Sequence, residues 1–243
     1  MPASSRRRID RFDFTTGDRI AENYEILSLL GKGWEGEVYL VREIGTRIER
    51  TAKFFYPQRN IGDRTIRFYA RKLHKLRTCP IVIQYHTRGR IEVDGLPVSF
   101  LVSEYAQGEI LSEFLEHQPG KRLQPFMAIH LLYALARGIQ CIHSLGEYHG
   151  DLHTDNIIVQ RFGLNFDLKL VDMFHWGKPS AENIREDVIN LIRIFYDVLG
   201  GQRFYAKHPQ AVKDICCGLK RSLICRKFRS AAAICTHLER FEW

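Results

Sequence analysis

The sequence predicts an α+β fold: a small, sheet-rich first part with one helix, followed by a mainly helical second part. Three observations carry this reading. Strand, glycine turn, strand runs through Tyr24–Leu30 and Glu37–Arg42, a hairpin pattern that implies antiparallel pairing. Between Asp63 and Arg77 the apolar residues Ile66, Tyr69, Ala70, Leu73 and Leu76 recur every three or four positions, which is the period of a helix. From Leu111 onward helical patterning dominates, most clearly over Pro125–Leu145. Strands first and helices afterwards is the order of an α+β chain.

The elements follow in order. Residues 1–22 are polar and charged and read as a loose basic arm. The hairpin is followed by a third strand, Arg50–Tyr56, ended by Pro57. Asp63 is placed to cap the helix, and Pro80 stands just beyond its end. Ile81–Tyr85, Arg90–Val93 and Val98–Tyr105 read as further strands, with Asp94-Gly95 as a hairpin turn. Tyr148–Val171 holds short strands and a loop, and Ala181–Leu199, Pro209–Leu223 and Ser230–Glu242 are helical. One lobe is expected over residues 23–105 and a second over 106–243, meeting near Ala106–Gly108 with a cleft between them.

The chain has 243 residues and a 45% hydrophobic content, enough for a core and too much for a disordered segment. No apolar run approaches the roughly 18 residues of a membrane span. The three arginines near the start are not followed by an apolar stretch, so this start is not expected to be a secretory signal. A cytoplasmic protein is expected. The six cysteines, Cys79, Cys141, Cys216, Cys217, Cys225 and Cys235, form no CxxC pair. Free thiols in a reducing compartment are expected, with Cys141 as a small core residue. The net charge of +8 is uneven, with 19 Lys+Arg against 12 Asp+Glu in residues 1–100. Arg64–Arg90 carries eight basic residues and no acid; a solvated basic face is the simpler reading, and an acidic partner or RNA the functional one.

The chemistry-bearing residues are more specific. Gly31-Lys32-Gly33-Trp34-Glu35-Gly36-Glu37-Val38 is a glycine-rich turn between two strands. Backbone without Cβ can approach phosphates closely, and a strand–strand setting argues against a dinucleotide fold. Lys53 lies 17 residues beyond Gly36 in an apolar strand, where its charge calls for an anionic partner. In His149-Gly150-Asp151-Leu152-His153-Thr154-Asp155-Asn156, an Asp and an Asn five residues apart can face one site. The Asp suits acceptance of a hydroxyl proton, and the Asn a metal ion. Leu168–Asp172 is an apolar strand ending in a carboxylate, a hard oxygen that suits Mg²⁺.

In these motifs, over residues 22–240, the chain resembles the protein-kinase superfamily, and the resemblance implies a bilobal kinase-like fold. It implies that Gly31, Gly33 and Gly36 cover the phosphates of ATP and that Lys53 pairs with them. Ser103 stands at the gatekeeper position, and Glu104–Ala106 form the hinge that binds adenine. Val38 and Ile158 sandwich the adenine. Asp151 is the catalytic base, Asn156 and Asp172 hold Mg²⁺ (with Mn²⁺ the alternative), and Asp187 braces the catalytic loop. The His-Gly-Asp-Leu-His stretch is also similar to aminoglycoside and choline phosphotransferases, with His153 near the γ-phosphate.

The pattern departs from the family in four places. The helix glutamate that pairs with the strand lysine should fall at Tyr69 or Ala70, and neither is acidic. Asp172-Met173-Phe174 replaces Asp-Phe-Gly, and Gly150 replaces an arginine. Only 14 residues separate Asp172 from Asp187, so the activation segment is truncated. The leading expectation is a minimal serine/threonine protein kinase acting on a protein substrate. A small-molecule kinase and a nucleotide-binding pseudokinase scaffold are the alternatives.

Overall fold

A computed structural model describes residues 8–173 and 177–240, and the α+β class is as expected. Two compact units are distinguished, residues 1–77 with 83–105 and residues 78–82 with 106–243. The first holds a six-stranded antiparallel sheet made of β1 (Arg19–Ile20), β2 (Tyr24–Lys32), β3 (Gly36–Glu43), β4 (Glu49–Phe55), β5 (Tyr85–Val93) and β6 (Leu96–Glu104). The spatial order is β1-β2-β3-β4-β6-β5. Helix α1 (Arg64–Lys75) buries Ile66, Tyr69, Lys72 and Leu73, the stripe its spacing predicts. Asp94-Gly95 turns β5 into β6, with Val93 opposite Leu96.

Alternate residues of the strands face the same way. Tyr24 and Ile26, Tyr39 and Val41, Ala52 and Phe54, and Val98, Phe100 and Val102 therefore share one face and form a buried cluster. Ile9, Phe12 and Ile20 belong to it, so residues 8–22 are not the loose arm expected of them. Phe12 stacks on Tyr56 with ring centroids 5.2 Å apart and on Phe14 at 5.5 Å. Underneath lies a buried carboxylate. Glu37 accepts hydrogen bonds from the Phe12 amide (3.2 Å), the Tyr39 hydroxyl (2.6 Å) and the Tyr56 hydroxyl (2.9 Å), and Lys32 Nζ is 3.4 Å away. Burial, then the bond to Glu37, pushes both tyrosine hydroxyls well above their ordinary titration range.

Two local expectations fail here. Residues 81–84 form no strand of the sheet; Val82 makes an isolated parallel bridge to Leu170. Asp63 does not cap α1. Its backbone is left-handed (φ 58°) with no capping bond, and its carboxylate instead takes Arg90 Nη2 at 2.6 Å and Ser99 Oγ at 2.7 Å. Burial opposes its ionisation, but these bonds outweigh that and hold it below the usual carboxylate value.

The second unit is built on α3 (Pro125–Ser144), packed against α4 (Ala181–Val198), α8 (Ala231–Glu239) and β9 (Asn165–Leu170). By length and composition α3 is, among the described residues, the one helix apolar enough to cross a membrane, which the sequence reading did not anticipate. Eight of its residues are buried, as in a core helix. A small sheet runs β7-β8-β9, with β7 at Glu109–Ile110 and β8 at Ile157–Phe162. Short helices α2 (Leu111–Glu116), α5 (Gly201–Tyr205), α6 (Gln210–Cys216) and α7 (Arg221–Lys227) complete it. The helix expected over 209–223 is thus broken, with Cys217, Gly218 and Leu219 at positive φ. The arm's first seven residues, Phe174 and Glu242 lie outside the described residues.

Segment 78–82 joins this unit for a visible reason. A Cβ on Gly138 of α3 would come 2.2 Å from Ile81 Cδ1, so only glycine admits the crossing segment. One turn on, Cys141 forms a disulfide with Cys79 across 62 residues of sequence. The free-thiol expectation therefore fails for this pair; Cys216, Cys217, Cys225 and Cys235 are free. Cys216 is fully buried, and burial pushes its thiol up to about 12, so it is a packing residue.

Two stability outcomes are expected. A cross-link closing a loop of this size contributes about 4 kcal/mol in the chain-entropy view. Reductant should lower the Tm of the native chain and leave that of Cys79→Ser/Cys141→Ser unchanged; equal sensitivity would contradict the bond. Glu37→Leu leaves the Phe12 amide and the Tyr56 hydroxyl without their acceptor, while the Tyr39 hydroxyl keeps the Phe12 carbonyl at 2.7 Å, at a cost of about 2–4 kcal/mol. It should shift the urea midpoint and speed tryptic cleavage after Arg11; an unshifted midpoint would contradict the network.

Candidate functional site

The first unit contributes the glycine-rich loop and its lysine. Gly31 pairs with Val38 and Lys32 with Glu37 across the β2–β3 hairpin, and the Gly33 amide donates to the Gly36 carbonyl at 2.9 Å. The three glycines differ in cause. A Cβ on Gly36 would sit 1.8 Å from the Phe54 carbonyl, so strand packing demands glycine there. At Gly31 and Gly33 a Cβ would meet nothing within 4 Å, and neither has a positive φ. Packing within the chain does not explain them, and the missing Cβ leaves their backbone open to close approach from outside.

Val38 and Lys53 face one another in the β3–β4 register, so their side chains share a face. Lys53 is 15% exposed and its Nζ lies 3.0 Å from Glu35 Oε2. The Tyr69 hydroxyl donates to the same oxygen at 2.8 Å. The Tyr69 ring centroid is 4.8 Å from Nζ and that of Phe55 is 5.6 Å, both cation–π distances. The sequence placed the missing helix glutamate at Tyr69 or Ala70; the structure puts a tyrosine there and brings a carboxylate from the glycine-rich loop. At the end of β6, Ser103 is buried and the Glu104 amide donates to the Gln84 carbonyl at 2.9 Å. Ala106, next to the division between the units, is buried.

The second unit contributes the loop between α3 and β8. Asp187, fully buried on α4, accepts the amides of His149 (2.7 Å) and Gly150 (3.0 Å), and His143 Nε2 lies 3.0 Å from its Oδ2. Burial opposes the charge, but His143, His149 and the two amides outweigh it and hold Asp187 below the usual carboxylate value. His143 is thus part of the brace. Gly150 has φ 86°, where a side chain would be strained. His149 Nδ1 accepts the Asp151 amide at 3.3 Å, so its Nε2 carries the proton and donates to the Val171 carbonyl at 3.1 Å.

The brace presents the polar group. Asp151 is exposed. Asn156 is buried, its Nδ2 donating to the Asp151 carbonyl at 2.8 Å. His153 Nε2 is 2.9 Å from Asn156 Nδ2 and 3.7 Å from Asp151 Oδ2. The Val171 amide donates to the Asn156 carbonyl at 3.0 Å, which sets Asp172 directly beyond Asn156 at the paired ends of β8 and β9. Asp172 is exposed with φ 50°, a left-handed turn that Asp tolerates better than most residues. Ile158 pairs with Ile110 and Lys169 in the small sheet. Asp151, His153, Asn156 and Asp172 are therefore gathered within this unit. Among the described residues no three His, Cys, Asp or Glu side chains form a metal cage, so a cation here would draw on Asn156, Asp172 and ligands from outside the chain, as Mg²⁺ does with phosphates and water.

The comparisons with known proteins agree with this geometry. Residues 24–188 match the model of the protein kinase domain. The chain is 29% identical over 138 residues to the tyrosine-protein kinase SPK-1 of Girardia tigrina, covering 57% of this chain and 27% of that protein. It is 24% identical over 163 residues to the serine/threonine-protein kinase PknB of Mycolicibacterium smegmatis, covering 65% and 25%. The chain thus spans about a quarter of the length of each of these relatives. The PknI kinase domain of Mycobacterium tuberculosis superposes with a TM-score of 0.65 at 18% identity, covering 93% of this chain and 98% of that one. With its glycine-rich hairpin, strand lysine and braced Asp–Asn loop in the family's order, this chain belongs to the protein kinase domain family.

Proposed function

We propose that this chain is an ATP-dependent phosphotransferase, a minimal serine/threonine protein kinase. The observation that supports the reading is the braced loop: Asp187 takes the His149 and Gly150 amides, the Asn156 side chain bonds the Asp151 carbonyl, and the Val171 amide, next to Asp172, bonds the Asn156 carbonyl. Family membership supports it. In this reading Gly31, Gly33 and Gly36 receive the phosphates of ATP and Lys53 binds them. Val38 and Ile158 hold the adenine, with Glu104 and Ala106 at its edge. Asn156, through the oxygen of its amide, and Asp172 would hold Mg²⁺, or Mn²⁺. When bound, that ion neutralises charge on the phosphates.

Asp151 takes the proton of the acceptor hydroxyl as its oxygen bonds to the γ-phosphorus. The bond from that phosphorus to the β,γ-bridging oxygen breaks, and ADP leaves with the electron pair. In this reading His153, 2.9 Å from Asn156 Nδ2 and 3.7 Å from Asp151 Oδ2, assists at the γ-phosphate. The stretch between Asp172 and Asp187 is short, so no long phosphorylated segment is needed to order the site.

A protein hydroxyl is the acceptor in this proposal. The short segment and His153 favour the second reading, a small-molecule acceptor. The scaffold reading rested on the absence of a helix carboxylate, and Glu35 at 3.0 Å from Lys53 supports activity instead.

Asp151→Asn should lower transfer from labelled ATP by about 10²–10⁴-fold while ATP still raises the Tm; turnover near the native rate would remove Asp151 as base. Lys53→Ala should weaken nucleotide binding, and unchanged binding would remove the lysine from the phosphate site. A panel of protein, aminoglycoside and nucleoside acceptors decides between the two acceptor classes.

A further inference from the structure

A lysine on an inner strand face needs a counter-charge, and α1 offers none, since Arg64–Lys75 contains no Asp or Glu. The carboxylate comes from the opposite direction. Glu35 stands in the turn between β2 and β3, and one of its oxygens takes both the Lys53 ammonium at 3.0 Å and the Tyr69 hydroxyl at 2.8 Å. Strand, helix and glycine-rich loop therefore meet at a single oxygen atom.

The loop is held on both sides of this residue. The Glu35 carbonyl accepts the Tyr56 amide at 2.9 Å, and the neighbouring Trp34 is 65% exposed yet carries the Arg59 guanidinium 3.8 Å from its ring centroid. Tyr69 is anchored too: it is 8% exposed, and its ring lies 5.8 Å from that of Phe55. A carboxylate oriented by a buried tyrosine and fixed through its own backbone is preorganised, and charge-assisted hydrogen bonds of this kind are the strong ones.

The geometry points to Glu35 as the positioning residue of Lys53, with Tyr69 as its aligner, so that the glycine-rich loop supplies the charge that a helix glutamate would otherwise bring. The inference rests on the phosphotransferase reading and deepens it. An ammonium has three protons, so holding Glu35 is compatible with a simultaneous bond to phosphate. Because the carboxylate rides on the phosphate-binding loop, any displacement of the loop also displaces the lysine. Helix α1 then influences Lys53 through a neutral hydroxyl, and a shift of α1 is transmitted through the Tyr69–Glu35 bond.

The experiment compares the full chain with Glu35→Gln, Tyr69→Phe and Glu35→Gln/Tyr69→Glu. The Tyr69 ring already spans from α1 to Lys53, so a glutamate at 69 can bring a carboxylate to the same ammonium. The readouts are kcat and KM for ATP with Mg²⁺, and the affinity for a non-hydrolysable ATP analogue. Glu35→Gln is expected to lower kcat by about tenfold or more, the scale of one charge-assisted bond, with weaker analogue binding. Tyr69→Phe should lower kcat by a smaller factor, and Tyr69→Glu in the Glu35→Gln background should restore most of the loss, which a merely structural role for Glu35 does not predict. Native-like kcat and binding in Glu35→Gln would overturn the inference. So would tighter analogue binding, which would make Glu35 a competitor for the lysine, and so would failure of the second-site glutamate to restore any activity. If the native chain neither binds the analogue nor transfers phosphate, the phosphotransferase reading fails and this inference with it.

Discussion

Lys53 carries a full positive charge into a strand where it is 15% exposed, between the rings of Phe55 and Tyr69. A charge so placed is costly unless it is paired and hydrogen-bonded. The pairing decides how the rest of the first unit is arranged. The carboxylate of Glu35 can reach the lysine only if the glycine-rich turn folds down along β4, and the close approach of Gly36 to the Phe54 carbonyl is what lets β3 lie near enough. The helix must present Tyr69 to the same oxygen. On the far face of the sheet, Glu37 holds the segment around Phe12 and fixes the other side of the same hairpin. Two glutamates, two residues apart in sequence, thus bind opposite faces of one turn.

The second unit solves its own charge problem in a parallel way. Asp187 is fully buried and is paid for by two amides and a histidine. Its bonds reach the backbone of His149 and Gly150, immediately before Asp151, so the loop is gripped by its main chain. His149 extends the brace to the Val171 carbonyl, which connects the loop to the strand end carrying Asp172. Rigid support below and exposed carboxylates above is the arrangement that catalytic preorganisation calls for.

Much of this was legible in the sequence because the signals were local. The hairpin glycines, the alternation along β3, β4 and β6, the period of α1 and α3, and the spacing of Asp151, Asn156, Asp172 and Asp187 are all short-range patterns. What was not legible depended on distant partners. Ile9, Phe12 and Ile20 are scattered among charged residues and look like an arm until the sheet face they cover exists. Cys79 and Cys141 lie 62 positions apart and share no spacing motif, although Gly138, one turn from Cys141, marks the crossing. Glu35 looked like an ordinary charged loop residue, and its role appears only once Lys53 and Tyr69 are seen around it. The broken helix after Cys216 had a local signal, Gly218, outweighed by the apolar pattern around it.

The central claim is that the site moves the γ-phosphoryl group of ATP onto a hydroxyl. It is tested most directly by incubating the chain with γ-¹⁸O-labelled ATP, Mg²⁺ and a generic protein acceptor, followed by mass spectrometry of the tryptic peptides. The account predicts labelled phosphate on serine or threonine side chains of the acceptor or of the chain itself. Unlabelled peptides alongside intact ATP, with either Mg²⁺ or Mn²⁺ and with each class of acceptor, would contradict it.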